Sequence, residues 1–101
     1  MRAPLPVRIA FAPEAARSEA WGRLESLHPR RAVLRARTEL AEGAGVLLSF
    51  ELGDEPFLEF PGRVAAVDLD IDGYTRAEVE LKDEVFIRRL ARTLADVLSR
   101  S

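Results

Sequence analysis

Apolar and polar residues alternate with a period of two in several separate segments up to Leu81, and the pattern then changes to a helical period. Val7, Ile9 and Phe11 alternate with Arg8 and Ala10, which predicts a strand over Leu5 to Phe11, with Pro4 and Pro6 around its start and Pro13 after its end. Glu14 to Glu19 is polar and alanine-rich, and reads as a loop or a single helical turn. Trp21 to Leu27 reads as a weak second strand. In Arg31 to Arg37, Ala32, Leu34 and Ala36 share one face, and Arg31, Val33, Arg35 and Arg37 share the other. Glu42 and Gly43 turn the chain into Ala44 to Leu52, where Val46, Leu48, Phe50 and Leu52 share a face. Phe57 to Leu69 is long for one strand, and Pro61–Gly62 predicts a bend or bulge within it. After a turn over Asp70 to Gly73, Thr75 to Leu81 alternates Ala77, Val79 and Leu81 against Arg76, Glu78 and Glu80.

From residue 83 the spacing changes. Ile87, Leu90, Ala91, Leu94, Val97 and Leu98 recur at helical intervals, with Asp83 as N-cap, Glu84 in the first turn and Arg100 near the end. Arg88, Arg89 and Arg92 fall mainly on the opposite, wet face. Consecutive strands joined by hairpin-length turns and closed by one amphipathic helix predict a mainly β domain, a small antiparallel barrel or sandwich covered by the helix. The whole chain, residues 1–101, reads as one domain, with strands over about 5–81 and the helix over about 83–99.

The composition narrows the function classes. Zero cysteines exclude disulfides, thiolate zinc sites and cysteine nucleophiles. No apolar run approaches the roughly 20 residues of a membrane span, and MRAPLPVRIAF has no apolar core of a secretory signal, so a cytoplasmic protein without membrane insertion is expected. The net charge of −2 argues against a partner that is a nucleic-acid polymer. Charge is unevenly spread: Met1 to Arg37 carries a net +5, Thr38 to Val85 a net −10, and Phe86 to Ser101 a net +3. This is either an ordinary mixed surface or a basic patch that attracts an anion or an acidic partner.

Few residues could carry chemistry. Asp68-Leu69-Asp70-Ile71-Asp72-Gly73 opens like a calcium loop, but the twelfth position is Val79 where a bidentate glutamate is needed, and strands flank it. An acidic hairpin turn with Gly73 at positive φ is the simpler reading. His28 is the only histidine, and no G-x-S-x-G elbow or glycine-rich phosphate loop is present, so neither enzymatic activity nor a metal or cofactor is expected. Trp21 and the five phenylalanines fit core positions, the alternative for Trp21 being an exposed anchor for a partner. Arg31 and Arg35 share a strand face, with Arg30 in the preceding turn. They read as a solvated arginine face or as a site for phosphates and guanine edges.

Several segments, taken in order, carry a family resemblance. They are the basic first segment Arg2 to Phe11, the strand Ala32-Val33-Leu34-Arg35, and Leu40 to Gly43 before Val46-Leu47-Leu48-Ser49-Phe50. Gly62-Arg63-Val64, Tyr74 to Leu81 and the terminal helix follow. Together they resemble a PilZ domain. The resemblance implies a six-stranded antiparallel β-barrel with a C-terminal α-helix, a bacterial cytoplasmic setting and a non-enzymatic signalling role. PilZ domains often bind cyclic di-GMP through R-x-x-x-R near the N-terminus and [D/N]-x-S-x-x-G before the third strand. This chain departs from both. Ser26 stands for the acid, His28 for the serine and Arg31 for the glycine, and Arg2 alone can stand for the second arginine of the first motif. Arg31 and Arg35 also spell R-x-x-x-R, but in the wrong element. The resemblance therefore implies a degenerate member, an adaptor contacting proteins in type IV pilus function, motility or related regulation. Its candidate contact surfaces are the basic flank, the Asp68–Asp72 hairpin and the arginine side of the helix. The alternative is a cyclic di-GMP receptor with a rearranged site drawn from Arg2, Ser26, His28, Arg30 and Arg31.

Overall fold

The alternating segments form a ring of strands. In the computed structural model, which describes residues 5–11, 19–70 and 72–99, the elements are β1 (Leu5–Phe11), β2 (Glu19–His28), β3 (Arg31–Ala36), β4 (Gly45–Leu52), β5 (Glu55–Leu69), β6 (Thr75–Leu81) and α1 (Glu84–Ser99). All strand pairs are antiparallel, and the order β1-β2-β3-β6-β5-β4 closes into a barrel through β1 and β4. The fold is thus mainly β, a closed six-stranded antiparallel barrel with a C-terminal helix.

Alternation sets which residues fill the barrel. Val7 and Ile9 of β1, Ala32, Leu34 and Ala36 of β3, Val46, Leu48, Phe50 and Leu52 of β4, and Ala77, Val79 and Leu81 of β6 are all buried, as their period of two requires. Phe57 and Phe60 of β5 are fully buried, and with Phe50 they form an aromatic stack whose ring centroids lie 5.2 to 6.4 Å apart. Leu40, in the β3–β4 connection, is also buried.

Helix α1 starts where Asp83 caps it. Asp83 Oδ1 accepts from the backbone N–H groups of Val85 at 3.0 Å and Phe86 at 3.1 Å. Its inner face buries Ile87, Leu90 and Leu94, each worth roughly 1.5–3 kcal/mol before entropy. Phe86 stacks on Phe60 at 4.8 Å and joins the helix to the aromatic stack. Ala91 and Leu98, expected in the apolar stripe, are exposed. Arg100, the expected C-terminal cation, lies outside the described residues.

Three irregularities decide which side chains face out. β5 is bulged, but not at Pro61–Gly62, which stay in register opposite Leu47 and Val46. Pro61 is tolerated because its carbonyl accepts from Lys82 N–H at 3.0 Å, so its nitrogen faces the same flank, beyond Leu81, where β6 ends. The extra residues fall instead between Phe57 and Phe60, opposite Ser49, and at Ala65. Glu59, in the first of these bulges, has φ 58° and donates its N–H to Ser49 Oγ at 3.0 Å. The third bulge inserts Glu25 into β2 between Leu24, opposite Leu34, and Ser26, opposite Val33. Leu24 and Leu27, three apart, therefore both point inward.

The β2 bulge overturns the core placement of Trp21. Leu24 sits inward with Trp21 and Arg23 on the opposite face, and Trp21 is 67 % exposed. The wet placement of Arg89 is corrected as well. Its Nη2 donates to Glu55 Oε2 at 2.7 Å and to the Pro56 carbonyl at 2.8 Å, and its guanidinium lies 4.6 Å from the Phe57 ring centroid. Arg88 and Arg92 are exposed, as expected.

Candidate functional site

The β2–β3 hairpin gathers most of the sequence-derived site residues. His28 pairs with Arg31 across a turn made by Pro29 and Arg30. The open depression beside the turn, about 520 Å³, is lined by Ser26, His28, Arg30 and Arg31, together with Glu80 and Lys82 from the end of β6. The fifth candidate, Arg2, lies outside the described residues.

The cations of this depression already have counter-ions. Arg30 makes a two-pronged contact with Glu84 in the first turn of α1, Nη1 to Oε2 at 2.9 Å and Nη2 to Oε1 at 3.2 Å. The Arg30 carbonyl also accepts from Leu81 N–H at 3.0 Å, so the turn is tied to both β6 and the helix. Arg31 lies 3.8 Å from Glu78, and Lys82 Nζ lies 3.1 Å from Glu80. Three positive side chains thus face three carboxylates, which leaves little field to draw in a doubly charged phosphodiester.

The Arg30–Glu84 pair perturbs both groups. The hydrogen bonds from Arg30, and then its charge, hold the Glu84 carboxyl below the ordinary glutamate range. The same contacts push the Arg30 guanidinium further up. A group with a depressed folded-state pKa stabilises the fold above its unfolded pKa and loses that contribution as pH falls through the folded one. This link between turn and helix is therefore lost on the acid side of the normal carboxylate range. In an NMR titration Glu84 is expected to titrate below the ordinary glutamate range and to return toward that range in Arg30→Ala. A Glu84 that titrates within the ordinary range in the parent protein would show that the fork is not formed in solution.

The acidic β5–β6 turn does not gather its carboxylates around a cation. Gly73 has φ 86° and donates its N–H to the Asp70 carbonyl at 3.1 Å, closing the turn. The Asp70 carboxylate binds the Arg35 guanidinium, and among the described residues no cluster of three or more His, Asp or Glu side chains could hold a metal ion. No helix among the described residues is long and apolar enough to cross a membrane.

A second polar depression, about 680 Å³, lies at the other end of β2 and β3. Trp21, Arg23, Arg35, Arg37 and Tyr74 line it, with Glu25 and Asp72. Arg35 and Arg37 lie 5.0 and 4.9 Å from the Tyr74 ring centroid. A strand reading that runs unbroken from Trp21 to Leu27 gives both residues the same parity, so an inward Leu27 takes Trp21 inward with it. The signal that could have exposed the error is Arg23, two residues from Trp21 and a poor core residue. Compared with known proteins, the chain matches no family model, no curated protein and no solved structure.

Proposed function

We propose that this chain is a PilZ-like, non-enzymatic module that acts through protein contacts in bacterial signalling of the kind that serves type IV pili or motility. In this reading it is cytoplasmic and does not hold cyclic di-GMP in the manner usual for the family. The closed six-stranded barrel with a C-terminal helix is the architecture that the resemblance implies. The observation that carries the reading is the commitment of Arg30 to Glu84. The cation best placed in the β2–β3 turn is spent on holding the helix, and Ser26, His28 and Arg31 stand where the family pattern has an acid, a serine and a glycine. A second reading, a cyclic di-GMP receptor with a rearranged site, draws on the meeting of Ser26, His28, Arg30 and Arg31 in one depression. Isothermal calorimetry separates the two. The adaptor reading expects no binding heat at high micromolar cyclic di-GMP. Micromolar binding that disappears in Arg30→Ala with Arg31→Ala would overturn it in favour of the receptor.

A further inference from the structure

The β2 bulge leaves the chain's only tryptophan in water, and its neighbours are unusual for a plain solvated face. Trp21 stands between two open depressions. One is the depression of Arg23, Arg35, Arg37 and Tyr74, where three arginines outnumber the carboxylates of Glu25 and Asp72. The other, about 590 Å³, has Pro6, Pro56 and Leu58 on its walls with Arg8 beside them, and Leu58 is itself 62 % exposed. The register makes the surface continuous. Trp21 of β2 is opposite Arg8 of β1, Arg8 is opposite Ser49 of β4, and Leu58 belongs to the β5 bulge opposite Ser49.

The charges on this surface are not all satisfied internally. Arg35 is held by Asp70 and lies 3.6 Å from Glu25, Arg76 contacts Glu25 at 3.0 Å, and Arg8 lies 3.9 Å from Glu19. Arg23 and Arg37, both exposed, make no ion pair among the described residues. Arg37 is nevertheless positioned, because its guanidinium rests over the Tyr74 ring. Two arginines without counter-ions among the described residues thus flank an exposed tryptophan, and an apolar groove leads away from it. Trp, Tyr and Arg are the residue types that dominate binding energy at protein interfaces.

We propose that this Trp21-centred face is a docking surface for an acidic protein segment that carries a bulky apolar side chain. The inference rests on the reading of the chain as a protein-contact module and names the surface it uses. The apolar side chain of the partner packs on Trp21 and in the Pro6–Leu58 groove, and its carboxylates meet Arg23 and Arg37. The distance from β2 across to β5 is roughly three strand spacings of ~4.8 Å, the reach of about four extended residues. A nucleic-acid strand fits less well. Glu25 and Asp72 sit in the arginine-lined depression and Glu51 in the apolar one, where a phosphate on every residue of the ligand would meet them. A protein segment can place its charges selectively.

The test is selection of random dodecapeptides by display on the full chain, followed by fluorescence anisotropy with labelled synthetic copies of the enriched sequences. The expected result is enrichment of acidic sequences with a large apolar residue. Their affinity should fall by at least about tenfold in Trp21→Ala, and similarly in Arg23→Glu with Arg37→Glu. All the replaced side chains are exposed, and circular dichroism melts check that the variants fold. Failure to enrich any acidic sequence would overturn the proposal, as would tighter binding of a dT oligonucleotide than of any peptide. Peptides that bind equally well to all the variants would also overturn it. That outcome leaves the protein-contact reading standing, whereas cyclic di-GMP binding in the calorimeter removes that reading independently of this surface.

Discussion

Phe60→Ala is expected to destabilise the domain by about 3–5 kcal/mol, the range for deleting a fully buried aromatic side chain. Phe60 is fully buried and touches two layers of the structure. Its ring stacks on Phe57 at 6.2 Å and Phe50 at 6.4 Å inside the barrel, and on Phe86 of α1 at 4.8 Å. Removal leaves a cavity at the junction of barrel and helix that no single neighbour can fill, because Phe50 and Phe57 are fixed by their strands and Phe86 by the helix. Domains of this size have about 5–15 kcal/mol in total, so the loss is a large fraction of what holds the native state. Since each kcal/mol moves the midpoint by about 4–8 °C in a domain of this length, Tm should fall on the order of 20 °C. Thermal melts followed by far-ultraviolet circular dichroism measure this directly, with Leu58→Ala, exposed on the same strand, as the control expected to stay within about 0.5 kcal/mol of the parent. A Phe60→Ala melt close to the control would mean that the aromatic stack does not join helix and barrel.

Gly22→Ala is the second large effect, and it arises from added volume. A Cβ at Gly22 would lie 2.5 Å from the Arg35 carbonyl oxygen and 2.9 Å from Ala36 Cβ. Neither atom sits on a rotatable side chain, so strands β2 and β3 must separate at the Gly22–Ala36 register pair. Overpacking of this kind costs about 1–3 kcal/mol or more. That exceeds the roughly 0.4–1 kcal/mol that alanine returns by restricting the unfolded chain. Gly62→Ala is the instructive comparison. There the close atom is Val79 Cγ1 at 2.6 Å, which can rotate, with the Glu80 carbonyl oxygen at 3.0 Å. Urea denaturation should rank both variants below the parent, with Gly22→Ala the lower. A reversed order would show that the β2–β3 spacing yields more easily than a valine rotamer.

The strands that repeat regularly could be read from sequence almost to their ends. β3 shows why: Ala32, Leu34 and Ala36 alternate with Arg31, Val33 and Arg35 without interruption, and all three of the former are buried. α1 was equally clear, because Asp83 and the Ile87–Leu90–Leu94 spacing announce a cap and an inner face. What sequence could not show was a one-residue insertion in a strand. Glu25 in β2, the extra residue opposite Ser49 in β5, and Ala65 carry no local marker, since each is defined by the residue it faces on another strand. Pro61–Gly62 did look like a marker, yet the chain absorbs both in register.

The candidate site divides in the same way. That Ser26, His28, Arg30 and Arg31 share one hairpin follows from their adjacency along the chain. The partners of Arg30 and Arg31 do not, because Glu84 and Glu78 are brought in by α1 and β6 from far along the sequence. Arg89 is a similar case. Its position on the helix suggests solvent, but the partners that hold it, Glu55 and the Pro56 carbonyl, come from the start of β5.

The join between β1 and β4 has a consequence for self-association. Residues as distant as Arg8 and Ser49, 41 positions apart, meet there, and β1 is the one element that occupies the gap between β2 and β4. If β1 frays or is cleaved away, the ring becomes an open sheet whose two terminal strands present bare backbone donors and acceptors. Such edges are templates for pairing with another chain. The short segment Leu5–Phe11 therefore guards the protein against aggregation, a role separate from the apolar area it buries.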